Sequence, residues 1–250
     1  LRNRRQRQMC IRDRINNLSK YFGGLAAVSE CSLKVKKGTI TGIIGPNGSG
    51  KTTLFNLIAG NLKSSAGSVI FNNENITDVP SYELFSKGLL RTFQIAHEFT
   101  NLSVLENLMM VPGNQSGEKL VNALLKPSLV AKEESQIKEK AMEVINFLNL
   151  SHLKNELAGN LSGGQKKLLE LGRTMMVDAK LVLLDEVGAG VNRTLLKDLG
   201  TAIEKLNKEK GYTFCMIEHD MDFIGRLCDP VIVMAEGSVL FEGSVEDAKK

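Results

Sequence analysis

The chain has 250 residues, 42% of them apolar, and a net charge of +4, enough for a sizeable core in one large α/β unit or one with a modest insert. No stretch approaches the roughly 18 consecutive apolar residues of a membrane-crossing helix. The basic balance does not argue for a nucleic-acid surface, because residues 1–14 (LRNRRQRQMCIRDR) hold six arginines and one aspartate, more than the whole net charge.

That leader starts with Leu and lacks the apolar run of a signal peptide. It is expected to be disordered or foreign to the domain, with a basic arm on anionic lipid as the alternative, and the domain is expected to run over 15–248. Residues Ile15 to Phe71 are strand-rich. Within them Gly38 to Ile44 (GTITGII) reads as a strand and Thr52 to Ala59 (TTLFNLIA) as a helix. Between the two stand Gly45, Pro46, Asn47, Gly48, Ser49, Gly50, Lys51 and Thr52, followed by Thr53, a complete Walker A loop in its strand-to-helix context. Such a turn aims backbone N–H groups at a β-phosphate, at the positive end of the helix dipole. Lys51 is expected on the β- and γ-phosphates and the Thr52 hydroxyl on Mg²⁺. A chance glycine-rich turn would not have these flanks.

From about residue 95 to 160 the pattern turns helical: Leu102 to Met110, a polar stretch with Gly113, Gly117 and Pro127, then Lys132 to Leu150, whose Lys and Glu make a solvated face. His97 and His152 read as structural. Ser162 is a good N-cap for a helix over Gln165 to Met176, so Leu161, Ser162, Gly163, Gly164 and Gln165 form a second helix N-terminus that can face an anion. Leu181 to Leu184 is an apolar run ending in Asp185 and Glu186. It reads as a strand buried on both faces, and only at a strand end can neighbouring carboxylates address one site. Phe214 to Ile217 is another strand, leading into Glu218, His219 and Asp220, and Ser238 to Gly243 reads as a final turn. Cys10, Cys31, Cys215 and Cys228 form no close pairs and no metal-ligand spacing, which suggests buried or idle thiols in a reducing compartment.

The Walker A loop together with Leu-Ser-Gly-Gly-Gln at 161–165 resembles the ABC (ATP-binding cassette) ATPases. The resemblance implies an α/β fold: a P-loop NTPase core with a mainly parallel sheet, a small antiparallel β layer and an inserted α-helical subdomain at about 95–165. It also implies an ATPase that buries ATP between two cassettes, each signature acting on the partner's ATP. On this likeness Asp185 holds Mg²⁺ through water, Glu186 is the general base, and His219 is the switch histidine on the γ-phosphate. Gln94, in Arg91-Thr92-Phe93-Gln94, is the Q-loop glutamine at the metal and γ-phosphate. Phe22 fits the aromatic that stacks on adenine, with Tyr21 the alternative and ordinary core the bland reading of either ring. Asn192 belongs to a D-loop at 188–192 that departs from the family pattern, having Val187 where proline is common and Val191 where leucine is usual.

Finer motifs are Phe22 to Val28, Thr53-Leu54-Phe55-Asn56 and Arg91 to Gln94 with Val104-Leu105-Glu106-Asn107. They resemble the ATPases of branched-chain amino acid importers, and shade into relatives serving urea, amide or lipopolysaccharide transport. The implied partners are a second ATPase subunit, two integral membrane permeases and, indirectly, a solute-binding protein, with no nucleic acid, on the cytoplasmic face of the membrane. A nucleic-acid-associated ABC ATPase would show a tandem cassette or a long heptad insertion. A P-loop kinase or GTPase would lack residues 161–165 and the His219 strand.

Overall fold

The computed structural model describes residues 11–92, 98–113, 115–177 and 179–248, and for residues 11–13 their backbone only. In chain order its elements begin with β1 (Ile11–Phe22), β2 (Leu25–Lys36), β3 (Ile40–Ile44), α1 (Lys51–Ile58), β4 (Ala66–Phe71), β5 (Glu74–Asn75), α2 (Ser81–Lys87) and β6 (Leu89–Arg91). The helices α3 (Val104–Met109), α4 (Leu120–Leu125), α5 (Pro127–Phe147) and α6 (Gly163–Met175) follow. The chain then runs through β7 (Leu181–Asp185), α7 (Arg193–Lys210), β8 (Thr213–Ile217), α8 (Met221–Leu227), β9 (Val231–Ala235), β10 (Ser238–Gly243) and α9 (Val245–Ala248).

Two compact units emerge. The first takes the chain up to Arg91, Lys180–Glu186 and everything from Glu204, and the second takes Thr92–Ala179 and Val187–Ile203. The first unit holds both sheets. One is an antiparallel layer in the order β2-β1-β4-β5, and the other runs β10-β9-β3-β8-β7-β6, parallel except for β10. The helix α1 supplies Leu54, Phe55, Leu57 and Ile58 to one core shared with Ile15, Val28, Val69 and Phe71 of the antiparallel layer and with Ile43, Leu183 and Ile217 of the parallel sheet. Apolar residues at helical spacing on α1 thus meet alternating apolar positions on the strands. All five residues of β7 and of β8 are buried, because these strands lie inside the sheet and are covered on both faces.

Three elements differ from the sequence expectations. The strand β1 begins at Ile11, ahead of the boundary expected at residue 15: Asp13 pairs with both Val35 and Phe71, so the end of the leader is already sheet. Ser238 to Gly243 is a strand paired antiparallel with β9, since a segment this short shows its period of two only against a neighbour. The stretch between Gly117 and Pro127 holds α4, whose Leu120, Val121, Leu124 and Leu125 stand exposed. Cys31, Cys215 and Cys228 are buried and form no disulfide among the described residues, and burial pushes the Cys31 thiol up to about 11 and the Cys228 thiol to about 12.

In the second unit a buried amide does the work of a turn. Asn107 Nδ2 donates to the carbonyls of Phe99 (3.0 Å), Leu102 (3.1 Å) and Ser103 (3.0 Å), while its Oδ1 accepts from the Phe99 N–H at 2.9 Å. Ser103 and Glu106 close a capping box at the same helix start. Asn107→Ala should cost roughly 1–3 kcal/mol in urea unfolding, because it leaves the Phe99 N–H without its partner and takes a second donor from the carbonyls of Phe99, Leu102 and Ser103. A loss below about 0.5 kcal/mol would mean that water replaces the amide there.

Candidate nucleotide site

In the first unit, β3 runs into the Walker A loop and α1 starts at Lys51. Gly50, the N-cap, has φ 94°, and a Cβ there would stand 2.4 Å from the Ala27 carbonyl oxygen, so conformation and space both demand glycine. The loop is braced from behind: Gly237 donates its N–H to the Ser49 carbonyl at 3.2 Å, and Ser29 donates to the Gly237 carbonyl at 2.9 Å. Pro46, Asn47, Gly48 and Thr52 are exposed, Gly45 and Thr53 are half-buried, and Ser49 is buried. The Lys51 side chain is folded over this loop, its Nζ donating to the carbonyls of Gly45 and Pro46 at 2.9 Å each and lying 3.4 Å from Ser49 Oγ. Burial lowers its pKa, an effect partly offset by Glu186 and Asp185. A buried ammonium at a helix N-terminus, with no ion pair among the described residues, is a place that favours an anion.

The carboxylates come from the end of β7. Asp185 is buried, and its Oδ2 accepts from Arg91 Nη2 at 2.7 Å. Glu186 follows at φ 47°, a left-handed conformation uncommon outside glycine, and its N–H donates to the Ile217 carbonyl at 2.9 Å. This turn at the strand end lets adjacent acids serve one site, as the sequence requires. The neighbouring strand β8 delivers His219, whose Nε2 lies 3.2 Å from Glu186 Oε1. Their side chains are 46% and 23% exposed, so water reaches the pair. A carboxylate turned to solvent beside an imidazole can take a proton from water and keep the water oriented.

Phe22 and Tyr21 are both about half exposed, which removes the core reading of either ring. Lys20 Nζ lies over the Phe22 ring, 5.3 Å from its centroid. Gln94 lies outside the described residues.

The second unit holds the signature and the D-loop. Ser162 caps α6 in a reciprocal box with Gln165, the Ser162 N–H donating to Gln165 Oε1 at 2.9 Å and the Gln165 N–H reaching Ser162 Oγ at 3.5 Å. Leu161 is buried, while Ser162 and Gly163 are exposed. Gly164 has a packing reason that the sequence did not disclose. A Cβ there would stand 2.6 Å from Leu195 Cδ1, 2.8 Å from Leu195 Cβ and 3.1 Å from Val191 Cγ1. Asn192 also has a local task, its Oδ1 accepting the Leu195 N–H at 2.9 Å at the start of α7.

Sequence reasoning gave Arg91 and Asn56 no place at the site, although both stand in the motifs it used. Arg91 Nη1 donates to Asn56 Oδ1, so one guanidinium joins β6, α1 and the Asp185 carboxylate. The available signal was an arginine closing an apolar strand three residues before Gln94. Among the described residues no group of three or more His, Cys, Asp or Glu could cage a metal. The exposed Thr52 hydroxyl and the Asp185 carboxylate are hard oxygen donors, a set that suits Mg²⁺ only when phosphate oxygens and water complete the shell.

A phosphate loop, paired acids at the end of another strand of the same sheet and a separate capped glycine-rich helix start define an ATP-binding cassette. Residues 28–189 match the family described as ABC transporter, and the chain belongs to that family. It is 44% identical over 231 residues to the probable branched-chain amino acid transport ATP-binding protein LivG of Archaeoglobus fulgidus, covering 92% of this chain and 88% of that one. Identity to the LivG protein of Escherichia coli is 32% over 94% of this chain and 92% of that protein. Among solved structures, a nucleotide-free ATP-binding cassette from an ABC transporter superposes with a TM-score of 0.82 at 41% identity, covering 96% of this chain and 94% of the other. The chain is thus an ATPase with the ABC ATPase fold.

The Glu186 geometry gives a direct test. Glu186→Gln should leave ATP affinity within about threefold and lower turnover by roughly 10² to 10⁴, measured by equilibrium binding and phosphate release. Near-normal turnover in the purified variant would remove Glu186 from proton transfer.

Proposed function

We propose that this chain is the ATP-hydrolysing motor subunit of an importer for branched-chain amino acids, working on the cytoplasmic face of the membrane. The observation that carries the reading is the convergence of Lys51, Asp185, Glu186 and His219 at the carboxyl ends of β3, β7 and β8, in a chain 44% identical to a transport ATP-binding protein. Lys51 exchanges its carbonyl partners for β- and γ-phosphate oxygens, and the N–H groups of Gly48 to Thr52 line the β-phosphate. Phe22 stacks on adenine. Thr52, Asp185 through water, and Gln94 would hold Mg²⁺, which would supply neutralisation of phosphate charge. Glu186 accepts the proton of the attacking water, and His219 holds that water and the γ-phosphate in line.

Hydrolysis needs a second cassette in this reading. Ser162, Gly163 and Gly164, flanked by Leu161 and Gln165, present the start of α6 to ATP held by the partner subunit, and Asn192 approaches the same boundary. The second unit carries the surface for two integral membrane permeases, which receive solute from a separate binding protein. The capped start of α6 supports this assignment, since the same chain already has a phosphate loop of its own.

The test is reconstitution with the two permease subunits in liposomes. ATP hydrolysis should rise several-fold when binding protein loaded with leucine, isoleucine or valine is added, and not with the unloaded protein. Stimulation by a urea or amide receptor instead would overturn the solute assignment.

A further inference from the structure

Arg91 ends β6 with a side chain that touches two other elements: Nη2 donates to Asp185 Oδ2 at 2.7 Å, and Nη1 to Asn56 Oδ1 on α1. Both members of the ion pair are deeply buried, with side chains 9% and 4% exposed. The contact exists although Arg91 Nε is left buried without a hydrogen-bond partner among the described residues. Cohesion of the sheet does not call for it, since β7 is already hydrogen-bonded along both edges, to β6 and β8, and buried throughout. A leucine at 91 would fill the space with no orphaned N–H.

We infer that Arg91 is a positioning residue for the metal–nucleotide complex. This rests on the proposed reading of Asp185 as a Mg²⁺ ligand. The guanidinium takes Oδ2, while Oδ1 carries no hydrogen bond among the described residues and is the oxygen left for a metal-bound water. A carboxylate rotates almost freely about its last bond, so one clamped oxygen fixes where the other points. Asn56 anchors the far side of the clamp to α1, the helix that carries Lys51 and Thr52, and so sets Asp185 in register with the phosphate loop.

The experiment titrates Mg²⁺ into full-length protein holding a non-hydrolysable fluorescent ATP analogue, and repeats the titration with Mn²⁺ read by electron paramagnetic resonance. Arg91→Met should raise the metal midpoint by roughly 10- to 100-fold, the usual effect of losing an outer-shell partner, while metal-free nucleotide affinity stays within about threefold. Arg91→Lys should fall between, keeping the charge and losing the two-point reach. Asn56→Ala, which leaves the ion pair in place, should shift the midpoint a few-fold in the same direction and decides the matter where Arg91→Met does not fold. If Asp185→Asn moves the midpoint and the Arg91 and Asn56 variants do not, the positioning role is wrong and the metal reading survives. If Asp185→Asn leaves it unmoved as well, the metal reading fails and this inference fails with it.

Discussion

Everything at this site follows from placing a carboxylate at the end of a strand that is buried on both faces. Asp185 cannot remain ionised inside the protein without compensation, and breaking a buried pair of this kind typically costs about 3–5 kcal/mol. Compensation comes from Arg91, which must therefore end the adjacent strand β6, and Arg91 in turn takes Asn56 from α1. Strand order, helix placement and charge are one problem with one solution. With β7 between β6 and β8, the next residue, Glu186, is held by the Ile217 carbonyl and reaches His219. The two cations, Lys51 and Arg91, match the two acids, leaving a site close to neutral before ATP adds its own charge.

The division into two units sorts the chemistry. The Lys51 loop, the paired acids Asp185 and Glu186, and His219 lie in the first, and Gln94 is outside the described residues. The second carries a helix start whose cap is satisfied internally by Ser162 and Gln165 and whose glycines serve different ends: Gly163 is exposed, whereas Gly164 is where α6 packs on Leu195 and Val191. Val191 stands where the family has leucine, at a close contact of this packing. The smaller side chain still reaches within 3.1 Å of the Cβ position at Gly164.

Much of this was legible in the sequence, for physical reasons that can be named. The phosphate loop and the strands at 181–185 and 214–217 are local signals: a glycine pattern between a strand and a helix, and apolar runs ending in polar residues. The Ser162 cap was readable because capping acts within three residues. What stayed hidden depends on partners far away in the chain. Arg91 and Asp185 meet only because β6 lies beside β7, and no local pattern states strand order. Gly164 looked like a phosphate residue, and only the position of Leu195 shows that a side chain would not fit. The extension of β1 back to Ile11 was obscured by the charge of the leader. Alternation in Ser238 to Gly243 was too brief to separate a strand from a turn, and α4 sits between residues that usually break helices, with its leucines facing out.

The central claim is that the second unit completes a nucleotide site on another copy of the cassette. The most direct measurement is light scattering with MgATP on Glu186→Gln protein, compared with the same background carrying Ser162→Arg, whose side chain would fill the space of the γ-phosphate. A fluorescent ATP analogue should bind both, because Lys51, Phe22 and Asp185 are unchanged. The account expects an ATP-dependent dimer in the first and a monomer in the second; dimer in both, at matched concentration and salt, would contradict it.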